Sequence, residues 1–163
     1  LKSARRELEG DRVTVGLATC GISAGGLQVY EALEKANLGI PLQKVGCIGM
    51  CYNEPIVTVR QHGKKSIYAL VTKDNVQKVI DAIKSNTICK ELFVASDIYE
   101  LDFYKKQKRL IMENCGNIDP LRLDHYLAVG GYAGLKSVLQ KMAPTDVVSE
   151  VKRSQLRGRG GAG

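Results

Sequence analysis

The sequence predicts a two-layer α/β domain ending near residue 90, followed by a segment that is helical throughout. Three observations carry this expectation. Short alternating apolar runs recur through the first part, as half-buried strands require. Two stretches among them place apolar residues at helical spacing. From Phe103 onward the alternation stops and only helical text remains.

Element by element, Val13-Thr14-Val15-Gly16-Leu17 alternates as a strand, and Gly21 to Gly26 reads as a turn. Leu27 to Ala36 reads as a helix, with Leu27, Tyr30 and Leu33 at helical spacing. Leu42 to Val45 is a second strand. Past Pro55, Ile56 to Val59 is a third, and Gln61-His62-Gly63-Lys64 turns the chain into a fourth at Ser66 to Val71. Asn75 to Ile83 closes the unit as a helix, with Val76, Val79, Ile80 and Ile83 on one stripe. The predicted order is β-α-β-β-β-α.

Residues 1–10 read as an N-terminal extension, 11–90 as the α/β domain, and 91–102 as a linker arm with one short strand at Leu92 to Ala95. Helices are expected at Lys105 to Asn114, from Asp119-Pro120 through Tyr126, and at Leu135 to Met142, with a hinge at Gly130-Gly131-Tyr132. Pro144-Thr145 opens the last one, Asp146 to Ser154, because proline costs no hydrogen bond in a first turn and an acid there meets the positive end of the dipole. Short helices without strands form no globule of their own. They read as packing on something larger, with 1–90 free to move against 101–163.

The chain has 163 residues, 44% hydrophobic content and a net charge of +7, enough for one good core. The cationic excess lies after residue 100. No apolar run approaches the ~18 residues that span a bilayer, and Leu1 to Glu9 holds no signal core, so a cytoplasmic location without direct membrane insertion is expected. Lys105-Lys106-Gln107-Lys108-Arg109 reads as a solvated face. The single Arg-Gly-Gly element at the C-terminus does not repeat as nucleic-acid-binding tracts do, and no nucleic-acid partner is expected.

Five cysteines argue against a disulfide framework. Cys47-Ile48-Gly49-Met50-Cys51 is a C-x3-C on a glycine-containing loop directly after a strand, and Cys20 follows the first strand. Such loops aim thiolates and N–H groups at one point, as an iron–sulfur cluster requires. Small buried hydrophobes are the alternative reading of the same residues. Thiol–disulfide exchange prefers C-x-x-C at a helix N-terminus, a pair this sequence lacks.

The segments Val15 to Gly25 and Gly46 to Pro55 resemble the thioredoxin-like [2Fe-2S] ferredoxin domain fused to NADH-oxidising flavoprotein subunits. Arg109 to Pro120, Gly130-Gly131-Tyr132 and Glu150 to Gly163 resemble the start of the flavoprotein subunit of respiratory complex I and its relatives in NAD-dependent [FeFe] hydrogenases and formate dehydrogenases. The resemblance implies a piece of the NADH-binding subunit of a multi-subunit oxidoreductase, foremost an NAD-dependent, electron-bifurcating hydrogenase. A cluster-less docking module of a complex I-like or formate dehydrogenase assembly is the alternative. Other subunits of the complex are the implied partners.

The resemblance also implies the sites. Cys20, Cys47 and Cys51 would hold a [2Fe-2S] cluster. The glycine-dense tail, with Gly158, Arg159, Gly160, Gly161 and Gly163, would cradle the FMN phosphate, its N–H groups forming an anion-holding nest. The NAD(H) site and [4Fe-4S] cysteines would lie beyond Gly163, so no catalytic residue is assigned. The family's first loop supplies C-x4-C, and Val15 stands where its first cysteine belongs. The cluster is then absent, or its fourth place falls to Ser23, Thr19 or Cys89.

Overall fold

A computed structural model describes residues 1–158. The chain divides into two compact units, 1–129 and 130–163.

In the first unit, α1 (Lys2–Glu9) leads into β1 (Arg12–Gly16), α2 (Thr19–Ser23) and α3 (Gly26–Lys35). Next come β2 (Leu42–Val45), β3 (Val57–Gln61), β4 (Lys64–Tyr68), α4 (Val76–Lys84) and β5 (Phe93–Ala95). Two short helices, α5 (Asp102–Lys105) and α6 (Leu123–Ala128), finish it. The sheet order is β2-β1-β3-β4-β5, with β1 and β2 parallel and every other pair antiparallel.

The strand period divides the apolar residues between two faces. Val13, Val15, Val57, Val59 and Tyr68 join Val29 and Leu33 of α3 and Val76, Val79, Ile80 and Ile83 of α4 in the main core. Ile67, the neighbour of Tyr68, points the other way and packs with Met50, Ile56 and Tyr104. The α/β expectation and the β-α-β-β-β-α core of the fold therefore hold.

The differences have local causes. The turn expected at Gly21 to Gly26 is mostly helix, and only Gly25, at φ +99, makes the break between α2 and α3. The buried stripe of α3 is Gly26, Val29 and Leu33, whereas Leu27 is exposed. The fourth strand ends at Tyr68, before Leu70 takes φ +53.

Residues 1–10, expected as an extension, form a helix tied into the unit. Ala4 is buried, Arg5 Nε donates to the Ala128 carbonyl at 3.0 Å, and Glu7 pairs with Arg122 at 2.6 Å. His125, to which no ligand role falls, is fully buried there; its Nδ1 accepts from the Asp119 N–H, and its Nε2 lies 3.5 Å from Glu7.

Residues 91–102, expected as a linker arm, instead extend the sheet through β5 and carry a 3-10 turn, Ile98–Glu100, into α5. Tyr104 of α5 is 1% exposed in the second core, so the compact unit runs well past residue 90. The helix expected over Lys105 to Asn114 stops at Lys105. Four cations in five residues repel at helical spacing, and Arg109 folds back to donate to the carbonyls of Met112 and Cys115.

In the second unit, α7 (Ala133–Lys141) starts after Tyr132 at φ +61, and α8 (Pro144–Ser154) opens at the proline as expected. The Asp146 carboxylate accepts from the Ala143 N–H at 2.9 Å and caps its start.

Candidate metal centre

Parallel pairing of β1 and β2 puts the loops after both strands at the same end of the sheet. Cys20 sits in the first turn of α2, just past β1, and Cys47 and Cys51 occupy the loop after β2. Their three sulfurs lie within 4.8 Å of one another, and Cys47 and Cys51 are 3.5 Å apart. Sequence separations of 27 and 31 residues are thus closed by one pairing of strands.

The C-x3-C loop is shaped around Cys47. Gly49, at φ +95, turns its N–H back to donate to Cys47 Sγ at 3.2 Å. An amide aimed at sulfur stabilises a metal-bound thiolate. The loop is anchored from below by Met50, which is fully buried, and by Tyr104, whose hydroxyl donates to the Ile48 carbonyl at 2.9 Å. Gly116 packs against Ile48 from the other side. Cys51 is exposed, Cys20 and Cys47 half-buried, so the group sits at the surface within reach of a partner.

Burial pushes the thiols of Cys20 and Cys47 above their ordinary range. Without a metal they stay protonated at neutral pH, and metal binding would release their protons. Glu54 is 5% exposed beside them. Its Oε2 accepts from the Ile56 N–H at 2.8 Å, and Cys20 Sγ donates to its Oε1 at 4.0 Å. Burial raises its carboxyl above the ordinary value, partly offset by the Ile56 bond.

Cys89 packs at the margin of the main core and Cys115 lines a cleft below Ile48; neither joins the sulfur group among the described residues. Thr19 and Ser23 bound α2 on either side of Cys20. Of the tail residues, Gly158 is exposed, and Arg159, Gly160, Gly161 and Gly163 lie outside the described residues. No helix among the described residues is long and apolar enough to cross a membrane.

Three convergent thiols, one receiving an amide hydrogen bond, fit an iron–sulfur cluster in donor type, and the Glu54 carboxylate places a further oxygen donor 4.0 Å from Cys20 Sγ.

No family model matches the chain. It is 59% identical over 59 residues to the NADP-reducing hydrogenase subunit HndC of Solidesulfovibrio fructosivorans, a stretch covering 36% of this chain and 12% of that protein. It is 46% identical over 44 residues to a subunit of the NADH-quinone oxidoreductase of Salmonella typhimurium, covering 27% of this chain and 10% of that one. The matches therefore span about a tenth of these relatives. Both relatives are subunits of the kind the sequence motifs resemble. Among solved structures, a thioredoxin-like [2Fe-2S] ferredoxin from Aquifex aeolicus aligns with a TM-score of 0.46 at 16% identity, over 53% of this chain and 91% of that one.

Proposed function

We propose that this chain is the electron-transfer part of an NAD(H)-dependent flavin and iron–sulfur oxidoreductase subunit, with a hydrogenase as its host. The observation that carries the reading is the convergence of Cys20, Cys47 and Cys51 at one end of the sheet. The sequence shared with the hydrogenase and quinone oxidoreductase subunits supports it. A [2Fe-2S] cluster bound there stores and passes one electron at a time, which a flavin that has taken two from a nicotinamide requires.

The protein's own part is positional. Cys20, Cys47 and Cys51 supply thiolates, the Gly49 N–H stabilises charge on Cys47 sulfur, and Tyr104 holds the loop through the Ile48 carbonyl. Residues 11–90 serve as the cluster domain, within a compact unit that also takes in 1–10 and 91–129, and residues 103–163 as the opening of the flavoprotein domain. The backbone at Gly158, Gly160, Gly161 and Gly163, with Arg159, binds the FMN phosphate. Other subunits of the complex meet the exposed edge at Cys51.

Anaerobic addition of ferric iron and sulfide to the chain tests this. Visible absorption of a [2Fe-2S] chromophore is expected, and it is expected to vanish in the Cys47→Ser/Cys51→Ser double variant. A second reading, a docking module without a cluster, is favoured by the count of three thiols where four are usual. A chain that stays colourless and iron-free under reconstitution establishes that reading instead.

A further inference from the structure

We infer that the Glu54 carboxylate is the fourth ligand of the cluster site, paired with Cys20 on one iron while Cys47 and Cys51 share the other. This rests on the proposed [2Fe-2S] reading and supplies the donor that the thiols lack.

A [2Fe-2S] rhomb takes its protein ligands as two pairs, one pair on each tetrahedral metal. With metal–sulfur bonds of about 2.3 Å, two thiolates on one tetrahedral metal lie about 3.8 Å apart, and a thiolate–carboxylate pair about 3.5 Å apart. Cys47 and Cys51 are separated by 3.5 Å, and Cys20 Sγ and Glu54 Oε1 by 4.0 Å. Each separation is within about 0.5 Å of the value for donors that share a metal, and cluster insertion has to widen the gap between Cys20 and the Cys47–Cys51 pair, since the three sulfurs lie within 4.8 Å of one another.

The carboxylate is held where a ligand must be. It is nearly buried, three residues beyond Cys51, and fills the space that Gly16 and Gly21 leave by having no side chain. An ideal Cβ at Gly16 would stand 2.8 Å from Oε2, and one at Gly21 would stand 3.3 Å from it. Gly16 follows Val15, the apolar residue found where the C-x4-C pattern has a thiol, so the carboxylate reaches the end of β1 from the opposite loop. Ile56 N–H engages Oε2 and fixes the rotamer, leaving Oε1 turned toward Cys20. Buried carboxylates are kept by a partner or a metal. Here the partner of Oε1 is the Cys20 thiol.

When iron binds, the Cys20 S–H bond breaks, its proton passes to solvent, and sulfur and Oε1 both donate to the metal in place of the shared proton. Iron keeps its oxidation state in this exchange. Three thiolates and one carboxylate carry the same total charge as four thiolates, so the site stays electrostatically equivalent to an all-cysteine one.

The test is ⁵⁷Fe Mössbauer spectroscopy, with iron and acid-labile sulfide counts, on the reconstituted 163-residue chain and on Glu54→Gln and Glu54→Cys. Glu54→Gln keeps the Ile56 acceptor, and circular dichroism checks that each variant is folded. Two unequal ferric doublets are expected for the wild type, one with the larger isomer shift of an oxygen donor. Folded Glu54→Gln is expected to lose cluster on gel filtration, and Glu54→Cys to retain it with the oxygen-type doublet gone. A wild-type spectrum of two all-sulfur irons, or a Glu54→Gln spectrum and iron content identical to wild type, overturns the ligand assignment while leaving the cluster reading intact. A wild type that binds no iron and sulfide overturns both.

Discussion

Replacing Tyr104 by phenylalanine deletes one hydroxyl, and the structure says what that hydroxyl holds. It donates to the Ile48 carbonyl at 2.9 Å, inside the C-x3-C loop, from a ring that is 1% exposed. A neutral hydrogen bond contributes about 1 kcal/mol net, and an acceptor left half-buried without a donor adds up to about 1 kcal/mol more. A loss of about 1–2 kcal/mol is expected, which moves the urea midpoint down by roughly 0.5–1 M at the slopes usual for a domain of this size. Because the loop is tethered there, Cys47 and Cys51 in the metal-free Tyr104→Phe protein are expected to react faster with a disulfide reagent. The ring remains, so the core keeps its volume. Burial pushes the Tyr104 hydroxyl up to about 12. Its folded-state value is raised, so the contribution is fully present below about pH 10 and is lost as pH rises through about 12. The gap between wild type and Tyr104→Phe is therefore expected to close over that window. A variant with the wild-type urea midpoint and the wild-type thiol reaction rate would refute the claim that Tyr104 holds the loop.

Three further outcomes are expected. Leu33→Ala removes a side chain that is 1% exposed between α3 and the sheet, and a stability loss of about 2–5 kcal/mol is expected in denaturant melts. Asp124, held down to about 2 by hydrogen bonds from Arg122, contributes above about pH 4 and loses that contribution as pH falls through about 2; the difference in midpoint between wild type and Asp124→Asn is expected to shrink across that interval. In the full-length subunit, Gly160→Val/Gly161→Val is expected to abolish FMN retention, read as flavin absorbance per protein after gel filtration, and stoichiometric flavin in that variant would remove the phosphate-cradle assignment.

Much of the fold was legible because the sheet is half-buried and its strands obey period two. Val13 and Val15 face the helices while Thr14 does not, and Val57 and Val59 repeat the pattern. Helix α4 was legible for the complementary reason, since its four stripe residues all enter one core. What could not be read was set by contacts distant in sequence. Lys2 to Glu9 looks like a polar extension, and contacts distant in sequence make it a packed helix: Ala4 is buried, Arg5 bonds the Ala128 carbonyl, and Glu7 meets Arg122, 115 residues away. Tyr104 sits in a segment whose charges favour solvent, and it enters the second core because Met50, Ile56 and Ile67 leave an apolar face at that sheet end.

The candidate metal centre divides in the same way. Each thiol was legible as a residue that follows a strand, and the parallel pairing of β1 with β2 then brings the three together. Glu54 was not legible, since a glutamate before a proline reads as a turn in any sequence. Its place depends on Gly16, 38 residues upstream, whose missing side chain opens the space it fills, and on Gly21, 33 residues upstream, which lets α2 lie close against the Gly16 backbone. A Cβ at Gly16 would meet the carboxylate at 2.8 Å and force it away from Cys20, whereas one at Gly21 would meet the Gly16 backbone before it met Glu54. The glycines of this end of the sheet thus act on the site through packing. Gly16→Ala is for that reason expected to disturb the Cys20–Glu54 pair while leaving Cys47 and Cys51 in place. Reagent labelling that finds Cys20 alone altered would bear that out, and unchanged labelling of all three thiols would refute it.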